Sequence, residues 1–358
     1  MAEQGARSAL YRTIQSQPAV VRAVLEGAPA EAGRAAEALA GAVRVFLTGT
    51  GTSSHAAVVG EHLLRLAGKD AYATTAFDFA VYPRPLRATD ALVAISHRGT
   101  KRYGAQAIAR AVAAGVPVVG LTGQGSPMEG PSVVIQTAPP ETSATHTASY
   151  LGNLTALALI AAHVGARTGA DVAALRAALV TLPESMAALL AREAEIEPVA
   201  RALAERGRMI LIGAGPNAVT AREGALKVKE SSYLVAEGFA VETALHGGLQ
   251  SLEAGDVAVV IAAEGPALPR LVDAVRALRL IGARVLVVAD ERAMPGIPSD
   301  EATTVFSYPA VPEPLSPLLA TVPLQLLASR TADLRGTDPD SFRADNPVYR
   351  AANASYTL

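Results

Sequence analysis

Three short segments of this chain recur, in the same order, in its second half. Arg44-Val-Phe-Leu-Thr-Gly49-Thr-Gly51 aligns with Arg208-Met-Ile-Leu-Ile-Gly213-Ala-Gly215 at an offset of 164. Asp90-Ala-Leu-Val-Ala-Ile95-Ser-His-Arg-Gly99 aligns with Asp256-Val-Ala-Val-Val-Ile261-Ala-Ala-Glu-Gly265 at 166, and Gly115-Val-Pro-Val-Val with Gly282-Ala-Arg-Val-Leu at 167. Each segment pairs an apolar run with Gly or small polar residues, the pattern of a strand buried on both faces. Helical stretches fall between the runs, at 54–67, 103–114, 217–233 and 267–281. Strand, helix, strand with short connections implies right-handed crossovers and parallel sheets. The fold class is therefore α/β, with two tandem doubly wound, flavodoxin-like parallel-sheet units and flanking helices.

The expected organisation is 1–40 as lead-in helices, 41–183 as the first unit, 184–340 as the second and 341–358 as a tail. An Ala/Leu-rich stretch, 145–206, reads as two or three helices with breaks near Gly165 to Gly169 and at Pro183. A last helix at about 315–335 ends at Gly336, and the tail beyond it, rich in Asp, Pro and Asn, reads as irregular unless packing orders it.

Composition narrows the function. Lys plus Arg is 31 against 33 Asp plus Glu, so the basic surplus used in non-specific nucleic-acid binding is missing. Trp is absent and aromatics are 4%, which argues against base-stacking platforms. The lack of Cys excludes disulfides, thiolate metal sites and a cysteine nucleophile, and fits a cytosolic protein. The N-terminus has no apolar core of signal-peptide type. The longest apolar stretch, 151–166, is interrupted by Asn153, Thr155 and His163, so no membrane span is expected. The expectation is a cytoplasmic protein without nucleic-acid or membrane partners.

In parallel α/β sheets ligands bind where strand ends meet helix starts. In the first unit those loops are Gly49-Thr-Gly51-Thr52-Ser53-Ser-His55 and Ser96-His97-Arg98-Gly99-Thr100-Lys101. Both lead into helix N-termini, which favour anions. The helix dipole contributes about 0.3–1 kcal/mol, whereas hydrogen bonds to charged groups contribute about 1.5–3 kcal/mol, so Arg98 and Lys101 outweigh it. Taken alone, Gly49-Thr-Gly51 is also compatible with a plain tight turn. It lacks the third Gly of a dinucleotide loop, and no Gly-Lys-Ser/Thr follows. The second unit's loops, Gly213-Ala-Gly-Pro-Asn217 and Ala262-Ala-Glu-Gly-Pro266, carry no cation, which places the anion in the first half only.

Glu223, Lys227 and Glu230 fall on one helical stripe. Spacing alone fits either an exposed ion-pair ladder or a carboxylate base held near a lysine. Of six His, His62 and His163 read as structural; His55 and His97 sit in the anion loops, His146 at a helix start and His246 at a turn-like exit. No metal-ligand spacing occurs among them, so no metal is expected.

Together these segments resemble the sugar isomerase (SIS) domain family, in particular the double-SIS isomerase half of glucosamine-6-phosphate synthase and its stand-alone relatives. The resemblance covers about residues 40–340. Its most specific segment is Glu223-Gly-Ala-Leu-Lys227-Val-Lys-Glu230-Ser-Ser-Tyr-Leu-Val-Ala-Glu237, followed by His246-Gly. Thr321-Val-Pro-Leu-Gln and Arg335-Gly-Thr-Asp338-Pro-Asp340 resemble the final helix and turn, and Gly49-Thr-Gly-Thr-Ser53 the first sugar-phosphate loop.

The resemblance implies roles. Thr52, Ser53 and Ser96 would contact the sugar or its anion, within a binding set of Gly51, Thr52, Ser53, Ser96, His97, Arg98, Gly99, Thr100 and Lys101. Glu230 would be the base moving a proton between C1 and C2, Lys227 would polarise sugar oxygens, and His246 would assist ring opening across the interface of a homodimer. No cofactor is implied. The sequence also departs from the pattern. The family's second loop reads S-Q-S-G-E-T, and here Arg98 and Lys101 replace two of its positions, able to clamp phosphate, sulfonate or carboxylate. The A-S-T-K segment is Thr145-His146-Thr147-Ala148, without lysine. The glutamate before the histidine is Glu242, four rather than three residues ahead. No lysine follows Lys229 to form a Schiff base, and there is no Cys for a glutaminase.

The expected function is an aldose–ketose isomerase for an anionic sugar, a hexose bearing a C6 anion, working through an enediol. The alternatives are an amino-sugar phosphate deaminase or deglycase, and a non-catalytic sugar-phosphate sensor.

Overall fold

The computed structural model describes residues 7–356. Two helices, α1 (Ala9–Gly27) and α2 (Pro29–Ala40), precede β1 (Arg44–Gly49), α3 (Thr52–Leu66), β2 (Asp70–Thr75), α4 (Ala76–Val81), β3 (Asp90–Ile95), α5 (Arg102–Ala113), β4 (Val118–Thr122) and β5 (Val133–Gln136). Helices α6 (Ala148–Thr168), α7 (Ala173–Leu190) and α8 (Glu197–Arg206) follow. The pattern then repeats as β6 (Arg208–Gly213), α9 (Pro216–Ser232), β7 (Val235–Ala240), α10 (Val241–Leu245), β8 (Val257–Ala262), α11 (Leu268–Ile281), β9 (Arg284–Asp290) and β10 (Thr303–Tyr308). The chain ends in α12 (Pro317–Arg335) and α13 (Pro347–Ala354).

The strands form two five-stranded parallel sheets, ordered β2-β1-β3-β4-β5 and β10-β9-β8-β6-β7. Read from β7, the second order is the first over again, the flavodoxin-like arrangement expected from the repeat. Every residue of β3 and β8 is buried, which is why these runs show no alternation of polar and apolar residues. The strand-to-helix turn is the same in both repeats. Gly51 has φ 57° and ψ −129°, and Gly215 has φ 51° and ψ −128°, a backbone region open to glycine alone. Two residues earlier, a Cβ on Gly49 would stand 2.5 Å from the Ser53 backbone, and one on Gly213 2.0 Å from the Asn217 carbonyl oxygen. The G-x-G spacing thus follows from the turn itself, whatever the loop binds.

The chain divides into two compact units. Among the described residues, one comprises 17–141 and 148–183; the other holds 184–356 together with 7–16 and 142–147. In the first unit, Phe46, Phe79, Leu92, Ala107 and Ile108 form the core between the sheet and α4 and α5. On the other face α3 packs so closely that a Cβ on Gly60 would meet Leu47 at 2.7 Å and Leu157 of α6 at 3.0 Å. In the second unit, Ile210, Val260, Leu271, Val275 and Val287 fill the α10–α11 side. Across its sheet, α9 lies against α12, with Gly224 between Leu211 and Leu324.

Two expectations fail. Pro183 does not break a helix: α7 runs through it. An interior proline costs about 3 kcal/mol, but Leu175, Leu179, Leu182, Met186 and Leu189 form a buried stripe worth about 1.5–3 kcal/mol per side chain. The tail is not wholly irregular either. Asn346 caps α13 by accepting the Val348 N–H at 3.0 Å, with Pro347 at the first helical position. By length and composition, α6 and α7 could each cross a membrane, but 89% of the α6 window is buried inside the protein and 39% of that of α7.

Candidate active site

Helix α9 carries the Glu223–Glu230 stripe. Its N-terminal part is clamped between β6 and α12, so Glu223 and Lys227 are buried, 0% and 1% exposed by side chain. The exposed ladder is therefore excluded. A buried ammonium needs acceptors for its three N–H groups. Lys227 Nζ donates to Glu230 Oε2 at 2.6 Å and to the His146 carbonyl at 2.9 Å, and lies 3.4 Å from Glu223 Oε1. Glu230, one turn further on, retains 21% of its side-chain exposure. Burial pushes its carboxyl above the usual carboxylate range, and the Lys227 charge opposes that rise without cancelling it. A carboxyl raised in this way is suited to accept a proton closer to neutral pH than an ordinary glutamate.

Glu230 opens on a cavity of about 420 Å³, lined also by Lys229, Tyr233, Leu234, Phe342, Arg343, Tyr349 and Asn353. The Arg343 guanidinium carbon lies 4.2 Å from the Tyr233 ring centroid and 4.5 Å from that of Tyr349. Tyr233 ends α9 in the left-handed region, φ 58°, and its hydroxyl donates to the Asp338 carbonyl. The Arg335–Asp340 turn ties this region together. Thr337 Oγ1 donates to the Ser231 carbonyl at 2.8 Å, and Thr145 Oγ1 to the Pro339 carbonyl at 2.8 Å. The Asp340 carboxylate accepts from the first N–H groups of α1, Ala9 at 2.7 Å and Leu10 at 2.8 Å. The turn therefore fixes both the end of α9 and the segment whose His146 carbonyl holds Lys227.

His246 sits at the exit of α10 with 75% of its side chain exposed. Its Nε2 lies 3.2 Å from Glu242 Oε2, so the glutamate one turn earlier reaches it despite the shifted spacing. Arg270 pairs with Glu242 and holds that carboxyl below its ordinary range. No hydrogen bond joins His246 to Glu230 among the described residues.

In the first unit, Gly51-Thr52-Ser53 and Ser96–Lys101 end adjacent strands, β1 and β3, at the point where strand order reverses. Thr52, Ser53 and His55 are half-buried on the first turn of α3. The second loop is pinned from below: Thr122 Oγ1 donates to the Ser96 carbonyl at 2.9 Å and the Gly123 N–H to the His97 carbonyl at 2.9 Å. Gly99 has φ 70°, and a Cβ there would collide with the Pro127 carbonyl oxygen at 1.6 Å. Arg98 and Thr100 are exposed and Lys101 half-buried. Burial, then Arg98, pulls the Lys101 ammonium below its ordinary pKa. Neither cation forms an ion pair among the described residues, so the loop presents uncompensated positive charge beside a helix N-terminus.

The second sheet's equivalent crevice is different. There the Glu313 carboxylate approaches both loops: a Cβ on Gly265 would lie 2.8 Å from its Oε2 and one on Gly215 3.2 Å from its Oε1. Burial raises the Glu313 pKa. An anion entering this crevice would meet a carboxylate. Glu313, Arg343 and the His146 carbonyl reach their sites from distant sequence, so no local spacing announced them.

Residues 38–164 and 202–332 match the SIS domain family, one match per repeat. The chain belongs to the SIS domain family. Glutamine–fructose-6-phosphate aminotransferase (isomerizing) of Pyrococcus horikoshii is 31% identical to this double-SIS chain over 350 residues, covering 96% of it. The chain spans 58% of the length of that relative. Among solved structures, the C-terminal domain of glucosamine-fructose-6-phosphate aminotransferase from Francisella tularensis superposes with a TM-score of 0.87 at 20% identity, covering 95% of this chain and all of that one. Tagatose-6-phosphate ketose/aldose isomerase from Escherichia coli superposes with a TM-score of 0.75 at 19% identity, covering 94% and 95%. These two likenesses establish the shared SIS architecture.

Proposed function

We propose that this SIS protein is an aldose–ketose isomerase acting on a hexose with an anion at C6, phosphate foremost, through an enediol and without a cofactor. The observation that carries the reading is Glu230: a partly exposed carboxylate, raised in pKa by burial, facing a cavity and hydrogen-bonded to a buried lysine. Isomerisation requires removal of a proton α to a carbonyl and its return to the neighbouring carbon. Glu230 takes the C2 proton of the open-chain aldose as O1 gains a proton, giving the enediol; the O2 proton then leaves as Glu230 returns its proton to C1, so the net exchange is one hydrogen from C2 to C1 and one from O2 to O1. Because the Lys227 ammonium is already surrounded by three acceptors, we assign it a positioning role, holding Glu230 oriented and ionisable. Arg98 and Lys101 hold the anion, with Thr52, Ser53 and Ser96 as hydroxyl donors, Gly51 and Gly99 giving close backbone approach, and His97 and Thr100 flanking. His246, exposed and oriented by Glu242, assists ring opening in the site of a second subunit of a homodimer. A cytoplasmic location is part of this reading.

The test is to incubate the protein with hexose 6-phosphates in heavy water and follow them by NMR. Interconversion of aldose and ketose with deuterium entering at C2 supports the reading. Release of ammonia from glucosamine 6-phosphate, without interconversion, replaces it with the deaminase.

A further inference from the structure

A second cavity, of about 360 Å³, lies in the first unit beside β1, β2 and α4. The chain has nine Tyr, six Phe and no Trp, yet Phe46, Tyr72, Phe79 and Tyr82 all line this space. Phe46 and Phe79 form the buried floor, their ring centroids 5.9 Å apart and tilted edge-on. Phe46 meets Tyr72 at 6.0 Å, and Tyr82 stands 71% exposed at the mouth.

The duplicated scaffold supplies an internal control. At the same positions of strand and helix, the second repeat has Ile210 for Phe46, Glu237 for Tyr72 and Ala244 for Phe79. It builds the same strand–helix unit without them. The strand–helix unit can thus be built without aromatics at these positions; Phe46 and Phe79 also serve the core of the first unit, whereas the exposed Tyr82 does not.

The mouth carries charge. Arg84 lines it, and Arg110 donates to the Arg84 carbonyl at 2.7 Å. Neither arginine forms an ion pair among the described residues. The one carboxylate lining the mouth, Asp78, already accepts from the hydroxyl of Thr75 at 2.7 Å, and Thr75 in turn caps α4 by accepting the Asp78 N–H at 3.0 Å. A cavity of this size, with stacking walls and a few convergent polar groups, has the make-up of a small-molecule site. An aromatic floor and mouth favour a flat π-system lying against them, and a guanidinium without an ion-pair partner favours carboxylate or phosphate.

We propose that this cavity is a binding site for a flat aromatic or heteroaromatic molecule bearing one anionic group, separate from the Ser96–Lys101 loop. The ring enters between Tyr72 and Tyr82 onto Phe46 and Phe79, and the anion meets Arg84. The shared chemistry is available from a simple aromatic acid or from a nucleotide.

The experiment uses the intact protein and four probes: benzoate, phenyl phosphate, uridine 5′-monophosphate and, as a non-aromatic anion, cyclohexanecarboxylate. Binding is read by titration calorimetry and by saturation transfer to the ring protons. The expected result is saturable binding of at least one aromatic anion, with cyclohexanecarboxylate at least about tenfold weaker, and a loss of about tenfold in Arg84→Ala and in Tyr82→Ala. Both residues are exposed, so both variants retain the fold, checked by thermal unfolding; Tyr356→Ala in the tail serves as a control and leaves affinity unchanged. Preference for benzoate and phenyl phosphate identifies an aromatic acid, and preference for the nucleotide identifies that source. The proposal is overturned if no aromatic probe binds, if binding is indifferent to both substitutions, or if Tyr82→Ala changes only the sedimentation of the protein, which would make this face a contact between copies of the chain.

Discussion

Lys227 Nζ stands 2.6 Å from the carboxylate of Glu230, with the lysine 1% and the glutamate 21% exposed. The pair is asymmetric: the cation is sealed inside the helix packing while the anion faces a cavity. A buried charge held by several acceptors is costly to unbalance. In the proposed mechanism that asymmetry leaves the lysine to orient the glutamate while only the glutamate faces the cavity.

Removing the ammonium should therefore cost stability. In Lys227→Met, Glu223 remains buried without its cation, and a loss of about 3–5 kcal/mol is expected from breaking such a pair. Denaturant unfolding of the variant measures it. A loss below about 1 kcal/mol would mean that the buried cluster is not charged as described.

The acid limb of the pH–rate profile should report Glu230. The proposed reaction needs the carboxylate form, and burial raises its pKa above the ordinary carboxylate range, against the opposing Lys227 charge. Activity should fall as pH drops through a midpoint above that of an ordinary glutamate. Because this pKa is raised in the folded state, the folded protein holds this proton more tightly than the unfolded chain. The group's contribution to stability is then fully present below its unfolded pKa and is lost as pH rises through its folded pKa. Glu230→Gln should accordingly be as stable as the parent, or more stable, at neutral pH, while losing the activity.

The anion loop should govern binding more than turnover. Arg98→Ala or Lys101→Ala is expected to raise KM for a C6-anionic hexose about tenfold to a hundredfold, in line with about 1.5–3 kcal/mol for a charged hydrogen bond, with little change in kcat. Raised salt should weaken the parent's binding more than the variants'. If KM moved equally for a neutral hexose, the cations would not be reading the C6 group.

Much of this was legible in the sequence for identifiable reasons. Strands buried on both faces leave unbroken apolar runs, as in Asp90–Ile95 and Val257–Ala262, and the G-x-G turns recur because only glycine fits Gly51 and Gly215. What stayed hidden depends on partners remote in the chain. Burial of Lys227 is set by α12 and by His146, eighty-one residues away. Pro183 is overridden by the apolar stripe around it. Glu313 enters the second crevice from a segment beyond β10, and Arg343 reaches the Glu230 cavity from the tail.

The tail turn offers a test of that remote support. Asp340→Ala removes the acceptor of two α1 N–H groups, a loss of about 1–3 kcal/mol for a capping carboxylate. Thermal unfolding should drop accordingly, and unchanged stability would show that the contact contributes nothing.

The most direct measurement is hydrogen exchange at C2 of a hexose 6-phosphate in heavy water, comparing the parent protein with Glu230→Gln. The parent should incorporate deuterium, and the variant, still folded and still binding the sugar, should do so at least ~10²-fold more slowly, the usual contribution of a positioned base. Exchange at the parental rate in Glu230→Gln would remove Glu230 as the base and with it the proposed chemistry.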